Sequence, residues 1–181
     1  SNMKIIRKIA VTALVLALAS CSSSEQVDVL VVGGGVSGTA ASIQAARMGV
    51  RTMVLEETPW IGGMLTAAGV SCVDGNNRLR SGIFGEFADS LVARYGSNEA
   101  LQSGWVSNIN FDPHIGQEIL TNMADACGPL LTVRREAVVT DVQGEAGDWT
   151  VTFRDSRGRK QKVNTDILID ATELGDIAKA C

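Results

Sequence analysis

One juxtaposition constrains this chain more than any other. An apolar, β-branched run, Val27-Asp28-Val29-Leu30-Val31-Val32, passes without a spacer into Gly33-Gly34-Gly35-Val36-Ser37-Gly38. The run reads as a strand buried on both faces of a parallel sheet, because it is nearly continuous in apolar residues where a half-buried strand would alternate. The alanine-rich segment from Thr39 to Met48 reads as a helix closed by Gly49. Val50 to Leu55 is a second strand, ending at Glu56. Residues 27–56 therefore form one β-α-β unit of thirty residues, whose parallel crossover is expected to be right-handed.

Gly33-x-Gly35-x-x-Gly38 is a weak signal by itself, since 19 glycines in 181 residues produce such a triple by chance. Its setting makes it informative. It lies between a buried strand and a helix, and a carboxylate, Glu56, ends the next strand eighteen residues after Gly38. In this pattern each residue has a physical task in binding a dinucleotide. Gly33 permits the tight turn, Gly35 lets a pyrophosphate approach the backbone, and Gly38 lets helix and strand pack closely. Free N–H groups at the helix start, around Val36 and Ser37, face the phosphates with a favourable dipole. Glu56 would accept hydrogen bonds from the adenosine ribose and repel a 2′-phosphate; the alternative is a solvated strand end.

Beyond Glu57 the chain reads as a loop to Arg80, with Gly62-Gly63 and Asp74-Gly75 as turn signals. Gly82 to Arg94 has helical apolar spacing, and Asp112 can cap a helix opened by Pro113 and running to about Cys127. Leu130 to Val133 reads as a third strand. Three short strands follow, Ala137–Val142, Trp149–Arg154 and Arg159–Val163, with glycines in the turns between them, as in an antiparallel meander. A last apolar strand, Asp166 to Asp170, ends in Ala171-Thr172. The fold class expected is α/β: a Rossmann-like parallel sheet with an antiparallel three-stranded meander.

The first twenty residues carry a separate message. Lys4, Arg7 and Lys8 precede an eleven-residue apolar run, Ile9 to Ala19, that meets small residues at Ser20-Cys21. A charged start, short apolar middle and small-residue end describe a secretory signal. A membrane helix needs about 20 apolar residues. Leu18-Ala19-Ser20-Cys21 resembles the bacterial lipobox, in which Cys21 is lipidated and becomes the mature N-terminus. Ser1-Asn2 before Met3 looks like a cloning scar. The organisation expected is a signal peptide over 1–20, a polar tether over 21–26 and a nucleotide-binding domain over 27–181, anchored to the bacterial cell envelope through lipid alone. Cleavage before Cys21 removes three basic and no acidic residues, taking the formal charge from −4 to −7. With no basic stripe, nucleic acid is disfavoured as a partner. Cys72, Cys127 and Cys181 at wide spacing, with a single histidine, His114, give neither a disulfide framework nor a metal site.

Four ordered segments together resemble a known family. Val31-Val32-Gly33-Gly34-Gly35-Val36-Ser37-Gly38, Val54-Leu55-Glu56-Glu57, Ile61-Gly62-Gly63-Met64-Leu65-Thr66 and Ile169-Asp170-Ala171-Thr172-Glu173-Leu174-Gly175-Asp176 are similar to the FAD-dependent oxidoreductases of the glutathione-reductase-like flavoprotein class. The resemblance implies extended FAD, with Gly33, Gly35, Val36, Ser37, Gly38, Glu56 and Glu57 around pyrophosphate and ribose. It also implies Gly62, Gly63 and Met64 beside the flavin end, backbone at Val138-Val139 against the adenine, and Ala171-Thr172 close to the pyrophosphate. Many relatives have glycine where Glu173 stands. Relatives also carry a substrate domain and a further flavin-covering segment, so the chain resembles the N-terminal portion of a longer protein.

The expected function is hydride exchange between an organic substrate and FAD. Two other classes compete: a non-catalytic NAD- or FAD-binding module, and a structural or carbohydrate-associated surface lipoprotein, which has no need of Gly33, Gly35 and Glu56. Disulfide-reductase chemistry is excluded because only Cys72 lies in the loop after Gly62-Gly63. No residue stands out as catalytic. His114, Arg47, Arg78, Arg80 and Trp60 have chemistry of interest but equally ordinary structural roles.

Overall fold

The computed structural model describes residues 24–74, 78–102 and 107–181. The signal segment, Cys21 and Gly75 lie outside them. In chain order the elements are β1 (Glu25–Val32), α1 (Val36–Arg47), β2 (Thr52–Leu55), α2 (Gly82–Tyr95), α3 (Pro113–Asp125), β3 (Leu131–Arg134), β4 (Val138–Glu145), β5 (Asp148–Arg154), β6 (Lys160–Asp170) and α4 (Asp176–Ala180). The six strands form one sheet in the order β3-β2-β1-β6-β5-β4. Neighbours among β3, β2, β1 and β6 run parallel, whereas β4, β5 and β6 pair antiparallel. This is the α/β arrangement expected, a Rossmann-like sheet carrying a meander.

Two apolar cores lie on opposite faces of the parallel strands. On one face Val29, Val31 and Val54 pack against Ile43 of α1, Phe87 and Leu91 of α2, and Leu120 and Met123 of α3. On the other, Leu30, Val32, Met53 and Leu55 pack against Val151, Phe153 and Val163 of the meander, with Ile177 of α4. The central strands are covered on both sides, which is why they lack polar alternation.

The alternation changes phase inside β1. Val27 and Val29, two residues apart, belong to different cores. Between them the N–H groups of Asp28 and Val29 both donate to the Arg51 carbonyl, at 2.9 and 3.1 Å. The shared acceptor lies where β1 begins to pair with β2, at Val29 opposite Thr52.

Three expectations are corrected. Glu25 and Gln26, expected outside the domain, already belong to β1 and pair with Val163 and Asn164; backbone pairing accepts polar residues wherever a neighbour extends far enough. The strands expected at 159–163 and 166–170 are one strand, β6, which pairs with β5 through its first half and with β1 from Val163 onward. Polar Asn164-Thr165 reads as a break, yet Thr165 is buried. Its hydroxyl lies 3.1 Å from the Asp28 carbonyl and 3.0 Å from that of Ile167, so its polarity is satisfied inside the sheet. Finally, α1 begins at Val36, immediately after Gly35, so Val36, Ser37 and Gly38 form its first turn.

The start of α3 matches its sequence signal. Asp112 is the N-cap, its Oδ1 accepts the His114 N–H at 2.8 Å, and Pro113 opens the helix. Replacing Asp112 by Ala should lower stability by about 1 kcal/mol. Urea unfolding checks it: the midpoint should fall with an unchanged denaturant slope, and Asp112→Asn should recover most of the loss, because an amide oxygen can accept the same His114 N–H.

Candidate cofactor site

The carboxyl ends of β1, β2 and β6 meet at one place, where ligands bind in open parallel sheets. The Gly33 N–H donates to the Leu55 carbonyl at 2.9 Å, and the Ala171 N–H donates to that of Val32 at 2.8 Å. Gly33 has φ +97°. A Cβ there would collide with the Ala171 carbonyl oxygen and lie 2.9 Å from the Thr172 nitrogen. A Cβ on Gly38 would run into the Gly33 carbonyl oxygen and sit 3.0 Å from the Ala171 Cβ. Gly33 and Gly38 are thus spent on bringing α1 against the end of β6.

Gly35 differs. It is the N-cap of α1, with φ −61° and no side-chain cap, and a Cβ on it would meet nothing within 4 Å. The first-turn N–H groups of a helix have no acceptor within the helix itself. Backbone donors, a positive dipole end and empty space therefore coincide at Gly35, which is what a bound anion requires.

Glu56 is 5% exposed. Its Oε2 accepts the Gly34 N–H at 2.6 Å, and its Oε1 accepts the Thr58 N–H at 2.8 Å. The carboxylate ties the end of β2 to the glycine turn, and two of its roughly four lone-pair sites remain for a ligand. The second glycine pair docks on the first. Gly62 (φ +104°) donates its N–H to the Gly34 carbonyl at 2.7 Å, and a Cβ on Gly63 would lie 2.9 Å from the Gly35 Cα.

These elements surround a cleft of about 580 Å³. Gly33, Gly35, Glu56, Glu57, Gly63, Val138, Val139, Ala171 and Thr172 line it. Gly38 and Gly62 are buried behind its wall, whereas Val36, Ser37 and Met64 are exposed beside it without lining it. The charged lining consists of Glu56, Glu57, Asp141, Glu173 and Asp176, with no lysine or arginine among the described residues. Phosphates here would be held by backbone donors and not by cationic side chains.

The floor under Ala171-Thr172 depends on Asp170, which sequence reading left without a role. Its Oδ1 accepts from the Thr172 N–H (3.0 Å) and hydroxyl (2.7 Å), and its Oδ2 from the Ala178 N–H (2.8 Å). Burial pushes the Asp170 carboxyl up, but the hydrogen bonds from Thr172, Ala178 and Ile177 outweigh it and hold the group below its ordinary value. Gly34 was also missed. A Cβ there would sit 2.8 Å from the Glu56 Cβ, so the middle glycine of the run is required by the carboxylate it binds. The uninterrupted triplet Gly33-Gly34-Gly35 was the available signal.

The other residues of chemical interest lie elsewhere. His114 packs edge-on against Trp60, with ring centroids 5.7 Å apart. Arg47 forms a two-pronged pair with Glu86 at 2.7 Å, and Arg80 contacts Asp89 and Asn98. Among the described residues no group of three or more His, Cys, Asp or Glu side chains could hold a metal ion.

Fold and cleft together are those of a Rossmann-like nucleotide-binding domain. Residues 28–181 match the family model described as FAD dependent oxidoreductase, and the chain belongs to that family. Among curated proteins, it is 35% identical over 74 residues to the mitochondrial dihydrolipoyl dehydrogenase of Dictyostelium discoideum, covering 41% of this chain and 15% of that one. It is 50% identical over 48 residues to the sarcosine oxidase subunit alpha of Corynebacterium sp. (strain U-96), covering 26% of this chain and 5% of the other. Among solved structures, a flavoprotein/dehydrogenase from Cytophaga hutchinsonii superposes with a TM-score of 0.56 at 22% identity, over 84% of this chain and 40% of its own. The OxyS anhydrotetracycline hydroxylase from Streptomyces rimosus gives 0.53 at 18% identity, over 80% of this chain and 31% of its own. At these identities the structural likenesses show the fold. The chain spans well under half of each of these relatives.

The family's cofactor is FAD, and the residues present fit it: the open space at Gly35, the uncapped start of α1 and the Glu56 carboxylate share one cleft. The two glycines should respond oppositely to the same change. Gly35→Ala should leave the fold intact and weaken FAD binding at least tenfold, since its methyl group occupies the anion space. Gly38→Ala should cost about 1–3 kcal/mol of stability through overpacking. Flavin fluorescence titration and urea unfolding of both variants distinguish these outcomes.

Proposed function

We propose that this chain is the FAD-binding portion of an envelope-anchored flavoenzyme that exchanges a hydride with an organic substrate. The observation that carries the reading is the cleft at Gly35, where unpaired backbone donors and empty space lie beside the buried Glu56 carboxylate. When bound, FAD supplies the redox chemistry at flavin N5, and the protein supplies orientation and surroundings. Gly33, Gly35 and the first turn of α1 would hold the pyrophosphate through backbone N–H groups. Glu56, with Glu57 beside it, would hold the adenosine ribose, and backbone at Val138-Val139 would meet the adenine. Gly62, Gly63 and Met64 would lie toward the flavin, and Ala171-Thr172 would close the phosphate end. The four ordered motifs favour the glutathione-reductase-like branch of flavoproteins, without its dithiol chemistry.

Titration of FAD, FMN, NADH and NADPH against wild type and Glu56→Ala tests the assignment. Hydrogen bonds to a charged group are worth about 1.5–3 kcal/mol each. FAD affinity should therefore fall one to two orders of magnitude in the variant. FMN, lacking the adenosine half, should bind weakly to both proteins, and NADPH should be excluded by repulsion between its 2′-phosphate and Glu56. A wild type that prefers NADH over FAD would overturn the flavin assignment and leave the dinucleotide cleft in place.

The envelope anchor rests on Lys4, Arg7 and Lys8 before the apolar run, and on Leu18-Ala19-Ser20-Cys21 after it. Among the described residues no helix is long and apolar enough to cross a membrane. In a bacterial host fed a labelled fatty acid, the chain should be labelled, and Cys21→Ser should abolish both label and cleavage. Lipidation of the Ser variant would sink the anchor.

A further inference from the structure

The Gly34 carbonyl oxygen receives two hydrogen bonds. The Gly62 N–H reaches it at 2.7 Å, and the Thr39 hydroxyl at 2.8 Å. Thr39 is 2% exposed in the first turns of α1, and its own N–H donates to the Gly35 carbonyl at 2.9 Å. Its hydroxyl thus reaches one residue further back than the helical ladder and grips the glycine turn itself.

A carbonyl oxygen has two lone pairs, and both are used here. The peptide joining Gly34 to Gly35 is planar and trans, so the Gly35 N–H points opposite to the Gly34 carbonyl. Two donors on that oxygen, one from α1 and one from the Gly62 loop, fix the direction of the Gly35 N–H. That N–H has no hydrogen-bond partner among the described residues, and Gly35 lines the cleft.

We infer that Thr39 is a positioning residue for anion binding: with Gly62 it clamps the Gly34 carbonyl and thereby aims the Gly35 N–H at the phosphate of a bound dinucleotide. This rests on the dinucleotide reading proposed above. It assigns to a threonine hydroxyl, away from the cleft lining, control over the phosphate subsite specifically. The adenosine half would be held through Glu56 and would not use that N–H.

The experiment compares the whole chain as wild type, Thr39→Val and Thr39→Ser, titrated with adenosine, ADP and FAD, with urea unfolding in parallel. Val keeps the shape and removes the hydroxyl, so ADP and FAD affinity should fall three- to tenfold while adenosine affinity stays within twofold. Ser restores the donor and should return ADP and FAD to within twofold of wild type. If Thr39→Val does not fold, Thr39→Ala takes its place with the same expectation. Unchanged ADP affinity, or an equal loss for adenosine and ADP, would overturn the inference by leaving Thr39 a purely structural role. A wild type that binds neither ADP nor FAD would instead remove the dinucleotide reading, and this inference with it.

Discussion

The contact between Gly33 and the Ala171 carbonyl is the one on which the rest of the site depends. It brings the ends of β1 and β6 closer than any side chain allows, since a Cβ at Gly33 would overlap that oxygen. Gly38 then has to pass over the Gly33 carbonyl in the same restricted space, which sets the angle at which α1 leaves the sheet. With α1 placed, its uncapped start opens onto the cleft. The cleft is therefore a consequence of backbone packing, and its chemistry is mainly that of N–H groups.

The electrostatics follow from that choice. A helix start offers roughly half a positive charge, while five carboxylates and no cationic side chain line the cleft among the described residues. The Glu56 carboxylate accepts from two backbone N–H groups, and Asp170 beneath the floor from three backbone N–H groups and the Thr172 hydroxyl. Carboxylates are tolerated beside a phosphate subsite when their lone pairs already point at N–H groups.

The β-α-β unit, the tight turn at Gly33, the close packing at Gly38, the Asp112-Pro113 helix start and the first two strands of the meander were readable from local pattern. Each depends on neighbours in the chain: a buried run before a glycine turn, a cap before a proline, apolar strands between glycines. Two misreadings share one cause. Asn164-Thr165 looked like a break because its residues are polar, but Thr165 meets the Asp28 carbonyl more than a hundred residues away in the chain. Glu25 and Gln26 looked like tether for the same reason, and their pairing partners also come from β6.

By itself the sequence determined that a buried strand runs into a glycine turn and a helix, and that an acid stands at the end of the next strand. Those features are set by short-range sterics and by burial of apolar runs. Only the tertiary structure decided what the acid does before any ligand arrives, namely that Glu56 binds the Gly34 N–H. It also decided that Gly62 and Thr39 converge on one carbonyl, and that Asp170 supports the Ala171-Thr172 turn. Such groups meet because three parallel strands end side by side, and hydrogen bonds only form where folding has brought their donors and acceptors together.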